Sequence, residues 1–290
     1  MTIAAVTSRS HEFLAHEAFE IRRLVLEMAH QPHGAHLGGA LSAADILSVL
    51  YHRILRLNPD NPDCQNRDHF VLSKGHIAAG LYAALMRRGI LPEGDHKTYC
   101  QNGSYLGGHP SHSLPGVEFT TGSLGHGLSL GIGLALAARK KKRENRTFVL
   151  MGDGELQEGS VYEAASAAPR FNLSTLTAII DRNDLQINGS VEPWLPKGAL
   201  TERWKSYGWQ VFEIDGHDIG TLVSTLSPSP QESGCPRLII ANTTKAKGVA
   251  FMENNRKSHS VALSDRLYHR ARGQLNATKN NQNPETTDAY

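Results

Sequence analysis

The sequence predicts an α/β fold with a mostly parallel central sheet. The run Thr147-Phe-Val-Leu-Met151 breaks at Gly152-Asp153-Gly154, a helix-like segment follows, and a second apolar run, Leu176 to Ile180, ends at Asp181-Arg182-Asn183. A strand, turn, helix and strand of this length make the two strands parallel neighbours. The same alternation resumes downstream and continues to Asn242. Asp153 and Asn183 therefore leave carboxyl ends of strands on one edge of the sheet, the edge where such folds bind ligands.

In chain order, residues 1–10 read as a loose arm. From His11 to Gln31, Leu14, Ala18, Ile21, Val25 and Met28 draw one apolar stripe on a helix that Pro32 and Gly34 stop. Ser42, with Asp45 three residues on, reads as the capping box of a second helix whose buried side is Ile46, Leu47, Leu50 and Ile54. His69 to Leu72 is a short strand, and Ser73-Lys-Gly-His76 opens a helix ending near Arg88. A strand running through glycine into a helix N-terminus favours an anion, because free N–H groups and the helix dipole point there. Residues 95–121 carry little regular structure, and long loops of that kind are uncommon unless they line a site.

Gly122-Ser-Leu-Gly-His-Gly127 starts a helix running to about Arg143. Gly127, Gly131 and Ala135 at every fourth position admit a close neighbour. A dinucleotide fingerprint is set aside, since no strand precedes this glycine cluster and no acidic ribose ligand follows it. Beyond the central motif come a helix over Leu200 to Tyr207, a strand over Trp209 to Ile214, a helix from Asp218 to about Leu226 and a strand over Arg237 to Asn242. The domain is read as 11–272, and residues 273–290, poor in apolar side chains, as a disordered tail.

Composition excludes several function classes. With 30 Lys and Arg against 28 Asp and Glu in 290 residues, there is no electrostatic case for nucleic acid or an anionic membrane. The basic cluster Arg139 to Arg143 ends a helix, where cations complement the dipole. Cys64, Cys100 and Cys235 lie far apart without a Cys-x-x-Cys, so neither a zinc knuckle nor a disulfide framework is indicated, and reducing cytoplasm is the expected compartment. No signal core and no membrane-length apolar run is evident.

The chemistry concentrates at the central motif. Asp153 offers a carboxylate, Asn183 an amide oxygen, and a bend after Asn183 turns the Leu185 carbonyl inward. Three hard oxygens without thiolate or imidazole suit Mg²⁺ or Ca²⁺, completed by water and substrate phosphates; Mn²⁺ is a further option. Gly154 lacks a Cβ, so its N–H can approach an anion closely. An isolated GDG is most often just a turn. Here the flanking strands, and Asn183 about thirty residues later, favour a site. His36, alone in a glycine-rich loop, reads as a helix cap or a solvated side chain.

GDGE…DRNDLQ resembles the thiamine diphosphate motif, and GDGELQEG with the downstream EAA resembles its transketolase version. Four further segments resemble that family in its own order: GAHLGGALSAADIL, RDHFVLSKGHIAAGLYA, GGHP followed by GSLGHG, and KAKGVAFMENN. The resemblance spans roughly residues 11–270. It implies a three-layer sandwich of the thiamine diphosphate-binding (PP-type) fold. It also implies a metal held by Asp153, Asn183 and Leu185, and a diphosphate contacted by His76, Gly154 and His259. The Gly122, Ser123 and Leu124 backbone would pass the cofactor rings, while His36, His109 and His259 act on the sugar. Glu158 matches a glutamate that links paired active sites, although a helix-start carboxylate favoured by the dipole explains it equally. His112 has no counterpart and is read as surface. His126 replaces the usual glutamine, and Ser258-His259-Ser260 replaces Trp-His-Gly.

Full-length transketolases continue into two further domains that supply a catalytic glutamate, an aromatic stacked on the cofactor and arginines for the sugar phosphate, for which this chain has no room. It therefore resembles the N-terminal subunit of a split transketolase, expected to form an α2β2 assembly with a separate C-terminal subunit and to act on sugar phosphates. The cofactor would supply carbanion chemistry for transfer of a two-carbon ketol unit. The alternatives are the α subunit of a thiamine-dependent 2-oxoacid dehydrogenase, which shares GDG…N, and a non-catalytic binding or regulatory subunit of the same fold. SKGH and GHP, with their histidines, favour transketolase.

Overall fold

The structure is a computed structural model that describes residues 9–196, 198–227 and 234–282. Its main sheet has five strands in the order β1 (His69–Leu72), β2 (Thr147–Gly152), β3 (Leu176–Arg182), β7 (Arg237–Asn242) and β6 (Gln210–Asp215), every neighbouring pair parallel. Two short strands, β4 (Leu185–Gln186) and β5 (Gly189–Ser190), form a separate antiparallel hairpin. The helices are α1 (His11–Ala29), α2 (Leu37–Ser42), α3 (Ala44–Val49), α4 (Ala78–Arg87), α5 (Gly127–Lys140), α6 (Gly159–Arg170), α7 (Ala199–Tyr207), α8 (Ile219–Leu226) and α9 (Asp265–Gln282).

The central strands β2, β3 and β7 are buried on both faces because helices cover both, whereas the edge strand β6 is partly exposed. Alternate side chains of β2 enter different cores: Phe148 and Leu150 pack with α1, α3 and α4, whereas Val149 and Met151 pack with α5, α6 and α7. The chain is thus the three-layer α/β sandwich that the sequence predicts. Gly131 is needed for one of the two contacts between layers, since a Cβ there would stand 2.4 Å from Val149 Cγ2. Gly127 likewise lets α5 start against Ser73.

Several boundaries differ from the sequence reading. Ser42 does not cap a helix: α2 begins at Leu37, and Ser42, fully buried at its end, donates to the Gly39 carbonyl and to Asp181. Asp45, its expected capping partner, is paired with Arg22 at 2.5 Å. After α3 the chain loosens into a π turn over Leu50–Ile54. The stretch from residue 273 is helical as far as Gln282, because α9 docks on α1 through buried Ala271 and Leu275, the Arg272–Glu27 ion pair and His30 stacked on Tyr268 at 4.3 Å. Residues 283–290 of the expected tail, and residues 1–8 of the expected arm, lie outside the described residues. Ser10 caps α1, accepting from the Phe13 N–H at 3.1 Å.

Among the described residues no helix is long and apolar enough to cross a membrane.

Candidate active site

The parallel register brings the ends of β1, β2, β3 and β7 to one edge. Leu72 pairs with Leu150, Gly152 with Asp181, and Arg182 with Asn242. Just beyond these pairs stand Lys74, Asp153, Asn183 and Lys245, which line a cavity of about 310 Å³.

Asp153 leaves β2 and anchors the turn that follows. Its Oδ1 accepts from the Gly154 N–H at 2.7 Å, and its Oδ2 accepts from the Asp184 N–H at 2.6 Å, so the turns after β2 and β3 are tied together. Asn183 Oδ1 accepts from the Leu185 N–H at 3.2 Å. Asp184 has a positive φ of 61°, which turns the chain sharply into the β4–β5 hairpin. The Leu185 carbonyl accepts from Lys245 Nζ at 2.8 Å, and Leu185 lines the cavity. The three residues expected from sequence to bring carboxylate, amide and carbonyl oxygens therefore line one cavity. Asp153 is only 4 % exposed, and burial, then the nearby Asp181 carboxylate, push its pKa up to about 6.

These residues fit a divalent cation with a diphosphate. Among the described residues no group of three or more His, Cys, Asp or Glu side chains could hold a metal, so a cation here depends on this mixed oxygen set, which suits a hard ion. Gly154 lines the cavity, and a Cβ on it would stand 3.0 Å from Gln186 Cβ. Lys245 brings a cation to the same wall; burial and the neighbouring Lys74 lower its pKa to about 8. An anion at this wall would relieve that crowding of positive charge.

Four imidazoles converge beside the oxygens. The ring of His36 lies 5.3 Å from that of His76, 6.0 Å from His109 and 5.4 Å from His259, and His76 lies 5.4 Å from His259. They come from four loops, and two of those loops are joined by main-chain bonds. The Ala35 N–H donates to the Val261 carbonyl at 3.0 Å and the Val261 N–H donates back at 2.9 Å, which sets His36 beside His259. Gly34 makes that approach possible: its φ is +64°, and a Cβ would stand 2.4 Å from the Val261 oxygen. His36 precedes α2 without a side-chain capping bond, so its imidazole is not spent as a cap. Tyr82 donates to the His109 carbonyl at 2.9 Å, and Gly122 packs against the His109 ring.

Burial makes three of these rings, His36, His76 and His259, poor cations. Desolvation, then Lys74, His36 and His259, lower the His76 pKa to about 2; desolvation, then Lys245, lower His259 to about 4; desolvation, then His109, lower His36. Near neutral pH they are neutral imidazoles that donate through one nitrogen and accept through the other.

Other expected residues sit farther out. Gly122 and Leu124 line the cavity, whereas Ser123 is exposed and does not. Glu158 is exposed at the start of α6 and makes no side-chain capping bond. His112 is exposed on Thr120, and His126 contacts the Leu124 carbonyl at 2.9 Å. Ser258 is buried with its Oγ against Gly38, where a Cβ would stand 2.7 Å away, while Ser260 is exposed. Sequence reasoning gave no role to Lys74, Glu155, Lys245 or Gln186, all of which line the cavity. All four carried a signal, since each lies within a segment already read as part of the site.

The family described as "Transketolase, thiamine diphosphate binding domain" matches residues 15–284. The chain belongs to the transketolase family. It is an N-terminal, thiamine diphosphate-binding transketolase subunit, and hence part of a transferase. It is 41 % identical over 250 residues to an apulose-4-phosphate transketolase subunit of Phocaeicola vulgatus, covering 86 % of this chain and 89 % of that one. To the 6-deoxy-6-sulfo-D-fructose transketolase subunit SqwG of Clostridium sp. it is 38 % identical over 266 residues, covering 90 % and 96 %. The crystal structure of Campylobacter jejuni transketolase superposes with a TM-score of 0.84 at 36 % identity, over 91 % of this chain but only 42 % of that one. The transketolase subunit thus spans less than half of that solved transketolase and nearly all of the subunit-type relatives.

Proposed function

We propose that this subunit holds thiamine diphosphate and Mg²⁺ in the cavity at the sheet edge. Together with a separate C-terminal subunit, it would transfer a two-carbon ketol unit from a ketose phosphate to an aldose. The observation that carries the reading is that Asp153, Asn183 and Leu185 line one cavity with the imidazoles of His36, His76 and His259, with His109 edge-on beside His36. Calcium or manganese would satisfy the same oxygens.

When bound, the cofactor supplies the carbanion chemistry of ketol transfer. Asp153, Asn183 and the Leu185 carbonyl would hold the metal, and the Gly154 N–H, His76 and His259 would donate to diphosphate oxygens, with the Lys245 ammonium adding charge. The backbone of Gly122, Ser123 and Leu124 would line the ring system. His36, His109 and His259 would orient the sugar and pass protons between its hydroxyl and carbonyl oxygens. Neutral imidazole suits both directions of that transfer. Glu158, exposed beside the Gly122–Gly125 loop, is proposed to reach a second active site in the assembled enzyme.

The names of the relatives support a separate partner subunit, and an α2β2 assembly is part of the proposal. Apulose-4-phosphate and 6-deoxy-6-sulfo-D-fructose join the common ketose phosphates as donors to assay. A cytoplasmic location is proposed too, and the free thiols of Cys64 and Cys100 suit a reducing compartment. Reconstitution with a chain resembling the remainder of transketolase tests the function. Ketol transfer that requires both chains supports it; turnover by this chain alone, or turnover of 2-oxoacids instead of ketoses, contradicts it. Cofactor binding without turnover on any ketose would favour the non-catalytic reading.

A further inference from the structure

Glu155 is a buried carboxylate given no part in holding the metal or handling the sugar. It is 2 % exposed and stands one residue beyond the GDG turn. Its Oε1 accepts from the Gly125 N–H at 2.9 Å and from the Ser73 hydroxyl, and its Oε2 accepts from the Gly152 N–H at 3.0 Å. Ser73 Oγ in turn accepts from the Gly127 N–H at 3.1 Å. One side chain therefore joins the loop after β1, the Gly122–Gly125 loop and the turn after β2.

A carboxylate is costly to bury unless several donors satisfy it, so its place is set tightly by the three that do. The Gly122–Gly125 loop needs such an anchor because it has no ladder of its own. Its φ at Gly125 is +83°, the Gly125 carbonyl accepts from Ser160 Oγ at 2.9 Å, and the Gly125 N–H goes to Glu155. Both polar groups of Gly125 are thus fixed by the segment that follows Asp153. Resting on the cofactor site proposed above, we propose that Glu155 is a positioning residue. It registers the Gly122–Leu124 wall of the cavity against the metal-binding turn, so that both halves of the site are assembled before the cofactor arrives.

The test is Glu155→Gln, which keeps the length but replaces one acceptor by an NH₂ group. Whichever way the amide turns, it opposes either the Gly152 N–H or the Gly125 N–H together with the Ser73 hydroxyl, leaving a buried donor unpaired. Calorimetric titration of thiamine diphosphate in saturating Mg²⁺ is expected to show affinity about tenfold to a hundredfold weaker than wild type. Ser73→Ala is expected to weaken it less, and the double variant no further than Glu155→Gln alone. Hydrogen exchange of the cofactor-free wild type should show a protected Gly125 amide, and Glu155→Gln should lose that protection while Val149 to Met151 keep theirs. Wild-type affinity in a variant that is merely less stable would overturn the proposal. So would a Gly125 amide that exchanges freely in wild type, a result available even if no variant folds. A wild-type chain that fails to bind the cofactor removes the site reading instead, and the exchange measurement then decides the positioning role by itself.

Discussion

Lys74 Nζ lies 2.5 Å from Asp181 Oδ2, both side chains are almost wholly buried, and Lys74 lines the cavity. Asp181 also accepts from Ser42 and Thr243, so the pair locks α2, β3 and the segment after β7 under the residues that face the ligand. Asp181 is part of what pushes the Asp153 pKa up, while Lys74 opposes that push.

Removing one member of such a pair strands the other. Lys74→Met should lower the unfolding free energy by about 3 to 5 kcal/mol, because it leaves the Asp181 carboxylate buried without its cation. The double change Lys74→Met with Asp181→Asn should recover part of that loss. Urea unfolding followed by circular dichroism measures both. A single variant within about 1 kcal/mol of wild type would show that the pair is not the fastening described.

Acid should weaken the chain through its buried histidines. His52 is buried, and desolvation lowers its pKa from 6.5 to about 4; His36, His76 and His259 are lowered too. A base whose folded pKa is depressed stays neutral while its unfolded counterpart takes up a proton. The stability it contributes is therefore complete above pH 6.5 and declines as pH falls toward about 4. Urea midpoints across that window should fall, and His52→Gln should make the decline shallower. An unchanged slope in that variant would contradict the assignment to His52.

His36→Ala and His109→Ala should each lower turnover of the reconstituted enzyme by about a hundredfold or more, the usual size of an electrostatic donor's contribution. Thiamine diphosphate affinity of the isolated subunit should change little, since the metal and diphosphate contacts remain. An unaltered rate in either variant would return that histidine to a structural role.

Much of the scaffold is legible in the sequence because both periods are clean. The stripe Leu14, Ala18, Ile21, Val25 and Met28 is buried as expected, and β7 runs from Arg237 to Asn242 as read. Helix α9 was not legible, because its attachment lies in partners far along the chain: Arg272 on Glu27, Asp265 on His30, and, among the described residues, Ala271 and Leu275 as its buried stripe. Ser42 misled for a related reason. A serine with an acidic residue three positions on looks like a cap wherever it falls, and only the fold shows the hydroxyl turned to Asp181. The meeting of Asp153 and Asn183 at one sheet edge could be derived from spacing, since two parallel strands deliver them. The meeting of four histidines could not, because it depends on the Ala35–Val261 bridge across more than two hundred residues. That part of the site came from family resemblance.

The most direct measurement is calorimetric titration of thiamine diphosphate into the isolated subunit, with and without Mg²⁺, for wild type and Asp153→Ala. Wild type is expected to bind the cofactor weakly and only with the metal present, and Asp153→Ala is expected to show no metal-dependent binding. Equal binding by both proteins, or wild-type binding indifferent to Mg²⁺, would contradict the claim that the tips of β2 and β3 hold a cation for the diphosphate.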